Sequence, residues 1–321
     1  MLLIFSKVLV VFIYIGVGFI ANRLKVLPEE SVKHFISLVM GITVPCLMIS
    51  SITGQDINGD MYRNTILVLA LSALIYIVTA AVTTFISDRV FTWKDQQDRN
   101  VLASGMTGCN SGFMGLPIAS AVFGELVFYY LAIQTIVNNT YLFVVSLAQL
   151  HHRESQKSTR SLREKLRPLV NPTSVATVVA IVMLFAGLHL PEYVMGIVEP
   201  LGDVTIPLSM ILVGVQLGGT DFKRLLSDKA LLITSAVKLI GMPARALLIL
   251  TPFPVDPAVK LTTLLAVCFP SAVIGVAVAA QENKNSKLMS EVVAVSTLLS
   301  VFTLPVWIML ISYLYLERQK V

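Results

Sequence analysis

Charged residues are scarce in this 321-residue chain. They make up 13 % of it, about half the share usual in a soluble domain, while 55 % is hydrophobic and the mean hydropathy is +0.80. A water-soluble globule is excluded, and most of the chain belongs in lipid. The three cysteines, Cys46, Cys109 and Cys268, all lie inside apolar runs with no CxxC pair and no histidine at metal-ligand spacing. That removes a disulfide framework and a zinc site, and leaves them as small helix-packing residues. There is no HExxH and no pair of aspartates within an apolar run, which argues against an intramembrane hydrolase. No motif implies a cofactor. Carboxylates are missing from the interiors of the runs, with Glu125, Asp203 and Glu291 near their ends. A cation antiporter, which places an acid on its pathway, is thereby disfavoured.

What the chain does contain is long apolar runs, placed at roughly 2–21, 35–53, 64–87, 101–123, 126–150, 172–190, 197–218, 230–250, 258–281 and 288–316. Each can cross about 30 Å of hydrocarbon at about 1.5 Å per helical residue. The first has no small-residue cleavage site after it and reads as a retained span. Of the 24 Lys and Arg, seventeen fall in alternate connections and four in the others, with Lys7, Lys238 and Arg245 inside spans. Basic residues stay on the cytoplasmic side, so both termini are expected to face the non-cytoplasmic side of a cell membrane. The net charge of +5 and the pI near 9.1 then reflect orientation, and nucleic acid is not an expected partner.

Two strings recur. Leu27-Pro28-Glu29 and Thr43-Val44-Pro45 return as Leu190-Pro191-Glu192 and Thr205-Ile206-Pro207, at displacements of 163 and 162. The expected fold is an all-α polytopic membrane protein with ten transmembrane helices, in a first five-helix repeat over 1–150 and a second over 171–321. Five is odd, so the second repeat would be inverted, as in secondary transporters. The basic segment 151–170 joins them as a cytoplasmic linker, whether simply solvated or bound to anionic lipid or a regulatory partner. His151 and His152 at its start read as interfacial.

The fourth span carries Gly108-Cys109-Asn110-Ser111-Gly112-Phe113-Met114-Gly115-Leu116-Pro117, and the ninth carries Cys268-Phe269-Pro270-Ser271-Ala272-Val273-Ile274-Gly275. A displacement of 160 or 161 brings the two into register. Pro117 cannot donate to the carbonyl of Phe113, and the glycines lower the cost of leaving the helix. Backbone groups freed in lipid need protein, water or a ligand as partners. Either segment alone could be a proline-kinked packing helix. A matched pair points to a central site, where half-helix N-termini present positive dipole ends to an anion. Cys109, Gly115, Pro117, Pro270 and Gly275 would shape the breaks. Ser111, Gly112 and Ser271 would offer freed amides. Pro45 and Pro207 stand without glycines and read as kinks in packing helices.

Polar residues at depth complete the candidate site. Gln134 and Asn138 are one helical turn apart, with Asn139 beside them, and either make interhelical hydrogen bonds or contact a substrate or ion. Lys238 lies about 15 Å inward of Asp228 by helical rise. A lysine there costs about 2.5–3.5 kcal/mol on insertion scales, so it must face helix carbonyls, water or an anion. A structural and an anion-binding role both remain open. Arg245, seven residues on, is expected to snorkel to the outer surface.

The string Asn110–Pro117, with Gly18-Phe19-Ile20-Ala21-Asn22 before it and Pro207-Leu208-Ser209-Met210 and Gly214-Val215-Gln216-Leu217 after it, closely resembles the auxin efflux carrier family over essentially the whole chain. The resemblance implies crossed, broken helices 4 and 9, and a homodimer through a scaffold of helices 1, 2, 6 and 7. It also implies an elevator-like transport unit of helices 3–5 and 8–10. The family's substrate-contacting asparagine falls on Asn110, and a fifth-helix contact on or near Asn138. Plant PIN-formed members carry proline where Cys109 stands and an aromatic residue where Asn138 stands. Similar bacterial members are described as malate or malonate permeases, so the resemblance implies a carrier that exports a small carboxylate. Rival readings are a sodium-coupled symporter, with Asn, Gln, Ser and carbonyl oxygens as ligands, and a membrane receptor, disfavoured because no output domain is seen.

Overall fold

The computed structural model describes residues 2–27, 32–53, 59–153 and 172–317. Most of the 151–170 linker, Pro28-Glu29 of the first repeated string, and Arg318 and Lys320 lie outside the described residues. The described residues are helical throughout, without strands. The elements are α1 Leu2–Arg23, α2 Val32–Leu38, α3 Val44–Thr53, α4 Gly59–Val90, α5 Gln96–Thr107, α6 Leu116–Phe123, α7 Glu125–Thr140 and α8 Ser146–Leu150. After the linker come α9 Pro172–Phe185, α10 Glu192–Asp203, α11 Thr205–Gly218, α12 Phe222–Leu225, α13 Lys229–Ala236, α14 Met242–Leu250, α15 Pro257–Cys268, α16 Ile274–Gln281 and α17 Ser286–Ser312. Wide π-type turns at Val39–Thr43, Tyr141–Val145 and Val237–Gly241 join α2 to α3, α7 to α8 and α13 to α14 without breaking the rods.

Seven helices among the described residues are long and apolar enough to cross a membrane: Ile4–Arg23, His34–Thr53, Asp60–Val90, Glu125–Leu150, Glu192–Gly218, Lys229–Leu250 and Ser286–Leu316. Of the other three apolar runs, 172–190 contributes the 14-residue helix α9. Runs 101–123 and 258–281 are each divided in two.

Helix starts are written into the sequence as side-chain caps. Asp95 accepts from the Asp98 amide, Asp228 from Ala230, Asp256 from Ala258 and Asn285 from Leu288, each satisfying a donor that the first helical turn leaves open. Asp95 and Asp256 begin the two divided helices. Each first half is 12 residues long, so the displacement between them is 161.

Between apolar helices in lipid, close packing replaces the hydrophobic effect as the cohesive force. The pair α1 and α11 shows this most directly. A Cβ on Gly18 would sit 1.9 Å from the Ile211 carbonyl oxygen, and one on Gly214 would sit 2.0 Å from that of Ile15. Gly214 faces Ile15 and Phe19 while Gly218 faces Asn22, so the two helices run parallel. Helix α9 lies along α3 in the same sense, beginning where the Thr173 hydroxyl donates to the Met40 carbonyl at 3.2 Å. Helix α10 crosses α3 with Gly202 against the Leu47 backbone. Helices α4, α7, α8, α13, α14 and α17 pack around the two divided helices, α5–α6 and α15–α16.

Candidate functional site

Helix α5 ends at Thr107. Gly108 is extended, with φ −61° and ψ 137°, and the chain resumes helical turns only after Asn110, through a π-type turn at Ser111–Gly115 that leads into α6. In the second half α15 ends at Cys268, Phe269 is extended with φ −73° and ψ 152°, and α16 begins at Ile274. Proline does not act as expected at the first break. Pro117 lies at the start of α6, where a missing amide costs little, and Gly108–Asn110 make the interruption. Pro270 lies within the second break itself.

The two extended stretches touch. The Asn110 amide donates to the Pro270 carbonyl at 2.9 Å, and the Ser271 hydroxyl reaches back to the Gly105 carbonyl in α5 at 2.8 Å. The Ser271 amide is held by the Ser296 hydroxyl at 3.1 Å. Gly115 and Gly275 permit the approach of neighbours. A Cβ on Gly115 would be 2.7 Å from the Phe269 ring, and Gly275 faces Met289.

Asn138 braces the first break. Its Oδ1 accepts from the Tyr76 hydroxyl at 2.8 Å and the Cys109 amide at 3.3 Å, and its Nδ2 donates to the Cys109 carbonyl at 2.9 Å and the Ser111 hydroxyl at 3.1 Å. The side chain thus substitutes for the helical neighbours Cys109 has lost. Gln134 stands one turn earlier, with Nε2 donating to the Tyr76 hydroxyl at 3.1 Å. Lys238 comes in from the opposite side, 1 % exposed, with Nζ 3.3 Å from the Thr107 carbonyl and 2.8 Å from the Cys109 Sγ. A cation at the C-terminal end of α5 faces the negative end of the helix dipole, which offsets part of its burial cost. Arg245 does not turn to the surface as expected. Its guanidinium donates to the Thr79 hydroxyl and, at 3.4 Å, to the Ile75 carbonyl of α4.

A cavity of about 440 Å³ opens beside the breaks, between them and α2, α7 and the start of α9. Cys109, Asn110, Gly112, Asn138 and Asn139 line it, together with Met40, Phe113, Phe143, Val273 and Val278. The Asn110 side chain, only 6 % exposed, makes no hydrogen bond to any described residue. The amides of Ser111, Gly112 and Phe113, and those of Ala272, Val273 and Ile274, have no acceptor among the described residues. Two N-terminal helical turns therefore present free donors near one space, the arrangement that attracts anions. Among the described residues no Asp, Glu, Lys or Arg lines that space.

Of the residues selected from sequence, Asn110, Gly112, Asn138, Asn139 and Cys109 reach the cavity wall. Ser111, Gln134, Lys238 and Ser271 are fully enclosed behind it. Asn139 is half-buried and bonds the Ser174 hydroxyl of α9 at 3.3 Å. Sequence reasoning missed Tyr76, the hub between Gln134 and Asn138, and Met40 and Thr173, which bring α2 and α9 to the wall. Tyr76 had a signal, since a displacement of 162 from it lands on Lys238. His151 and His152, expected as interfacial, pair with Glu282 at 2.9 Å and Asp88 at 3.2 Å.

A family model described as "Membrane transport protein" matches residues 3–308. The chain belongs to that membrane transport protein family. This is the auxin efflux carrier resemblance read from the Asn110–Pro117 string. The family member is similar to an uncharacterized transporter of Methanothermobacter thermautotrophicus, 25 % identical over 94 % of this chain and 96 % of the other. A second such transporter, from Methanocaldococcus jannaschii, is 22 % identical over 94 % and 96 %. The uncharacterized transporter YfdV of Escherichia coli is 23 % identical over 91 % and 92 %.

Proposed function

We propose that this membrane transport family member is a secondary carrier of small organic anions, carboxylates above all, working by alternating access of a central cavity and most naturally in export. The observation that carries the reading is the Asn110–Pro270 contact, which leaves two sets of unpaired backbone amides and the free Asn110 side-chain carboxamide around one cavity. Asn110, Gly112 and the amides of the second break hold the carboxylate, Asn138 and Asn139 complete the wall, and Ser111, Gln134 and Ser271 fix the backbone that binds.

The reading rests on ten spans in two inverted repeats with crossed fourth and ninth helices. Helix pairing supports it. If spans one and two correspond to spans six and seven, the parallel pair of the first and seventh (α1 with α11) must recur as a parallel pair of the sixth and second (α9 with α3), as it does. Helices α1, α2–α3, α9 and α10–α11 then form a dimerising scaffold, and the rest forms a unit that slides against it. With the basic connections on the cytoplasmic side and both termini outside, the walls contributed by Ile36, Thr173 and Gln281 support a cavity mouth that opens toward the cytoplasm.

The test is flux. Purified protein in liposomes is expected to exchange a radiolabelled carboxylate, and Asn110→Ala is expected to abolish exchange with thermal stability kept, because the side-chain carboxamide has no partner among the described residues to lose. Unaltered exchange by a folded Asn110→Ala protein removes Asn110 from the site.

A further inference from the structure

Helices α1 and α11, held in parallel by Gly18 and Gly214, end side by side, and a hollow of about 380 Å³ opens where they stop. Arg23, Gly219, Thr220, Asp221, Phe222 and Lys223 line it. Other charges in the connection after α11 are spent within the protein, since Arg224 pairs with Glu291 at 2.8 Å and Asp228 caps Ala230 and faces Lys94 at 3.7 Å. The three in the hollow are not. Arg23 lies over the Phe19 ring, 5.4 Å from its centroid, and neither it nor Lys223 pairs with a carboxylate among the described residues. Asp221 precedes α12 without capping it and meets no cation among the described residues. The Thr220 hydroxyl is turned to the Gln216 carbonyl at 2.9 Å, which leaves the charges as the free polar side-chain groups of the hollow.

The outer surface of α1 beside it is hydrocarbon, with Ile13, Val17, Ile20 and Leu24 exposed and sharing one face by helical spacing. That stripe ends level with Arg23. We propose that the hollow binds the headgroup of phosphatidylethanolamine, its phosphate between Arg23 and Lys223, its primary ammonium on Asp221, and its acyl chains along the α1 stripe. Guanidinium and ammonium donors meet phosphate oxygens in charge-assisted hydrogen bonds. A purely anionic headgroup satisfies the two cations but leaves Asp221 with a negative neighbour. A trimethylated one carries the cation and has no N–H to donate. Exposed ion pairs are individually weak, and a bilayer presents its headgroups at high local concentration, so modest affinity fills the site. On the orientation proposed above the hollow lies at the cytoplasmic rim of the scaffold, and the inference does not depend on what the central cavity carries.

Native mass spectrometry of the detergent-purified protein tests it, by titration with dioctanoyl phosphatidylethanolamine, phosphatidylglycerol and phosphatidylcholine and with chain-free glycerophosphoethanolamine. Phosphatidylethanolamine is expected to bind about threefold or more tighter than either other lipid, and tighter than the chain-free headgroup. Phosphatidylglycerol or phosphatidylcholine binding as tightly overturns the proposal. Glycerophosphoethanolamine binding as tightly overturns the lipid as occupant, in favour of a soluble phosphoester. Asp221→Asn is expected to erase the preference over phosphatidylcholine, and joint replacement of Arg23→Gln and Lys223→Gln to weaken phosphatidylethanolamine by about fivefold or more. These side chains are exposed and have no carboxylate or cation partner to lose, so the variants keep the fold. A preference that survives Asp221→Asn, or an affinity that survives the double replacement, removes this hollow as the site.

Discussion

Replacing Asn138 by alanine tests the account of how the first break is held. The substitution removes four hydrogen bonds, at 2.8, 2.9, 3.1 and 3.3 Å. The Tyr76 hydroxyl keeps Gln134 as a partner, whereas the Cys109 amide and carbonyl lose theirs in a residue that is 1 % exposed. An orphaned buried group costs about 1–3 kcal/mol, and measured side-chain hydrogen bonds between membrane helices average about 0.6 kcal/mol. Two backbone orphans, softened by whatever water enters the vacated volume, give an expected loss of about 2–4 kcal/mol. Asn139→Ala is the control. It removes one 3.3 Å bond from a half-buried side chain and is expected to cost less than about 1 kcal/mol. Reversible denaturation in detergent, followed by circular dichroism, measures both. If Asn138→Ala is no less stable than Asn139→Ala, Asn138 does not brace the break and its hydrogen bonds carry no structural weight.

Two further outcomes follow from the packing and from the cavity. Gly214→Leu drives a side chain into the Ile15 carbonyl, 2.0 Å from its Cβ; it is expected to separate α1 from α11 and to lower the yield of folded protein, with Gly16→Leu, whose Cβ position is open, behaving as wild type. Ile36→Cys, at the cavity wall, is expected to react with a membrane-impermeant thiol reagent from the cytoplasmic face and to be shielded by a bound carboxylate; labelling from the opposite face alone would reverse the orientation of the cavity.

The helical class, the membrane runs and the positions of both breaks were legible because each is a local property. Apolar length marks a span, Gly108 and Pro270 mark where helical geometry stops, and Asp95 and Asp256 mark where it starts. Partnership was less legible. Gln134 and Asn138 share a helical face, yet only the fold reveals that Asn138 turns to the Cys109 peptide. Lys238 could be placed in depth by counting residues, but not in direction, since a helix rotates 100° per residue and its neighbour was unknown. Arg245 was misread for the same reason, because Thr79 and Ile75 belong to a distant part of the chain. The cavity wall from α2 and α9 had no sequence signal, as Met40 and Thr173 look like ordinary span residues.

On the inverted-repeat reading, the two breaks share a backbone path and differ in chemistry, and the difference is what gives the cavity a direction. A displacement of 161 sets Asn110 against Ser271. Ser271 spends its hydroxyl on the Gly105 carbonyl, while the Asn110 side-chain carboxamide bonds no described residue. A displacement of 162 sets Tyr76 against Lys238, yet both serve the first break, through Asn138 and through Cys109. A site with two equal halves would hold a ligand at both ends, or in two orientations. Here the cation, the free amide and the bracing asparagine all gather at Cys109–Ser111, and the second break contributes its backbone to the same point through Pro270. On that reading a shared backbone path brings the two breaks together, and the differing side chains set the Lys238 charge and the free Asn110 carboxamide at the first break alone.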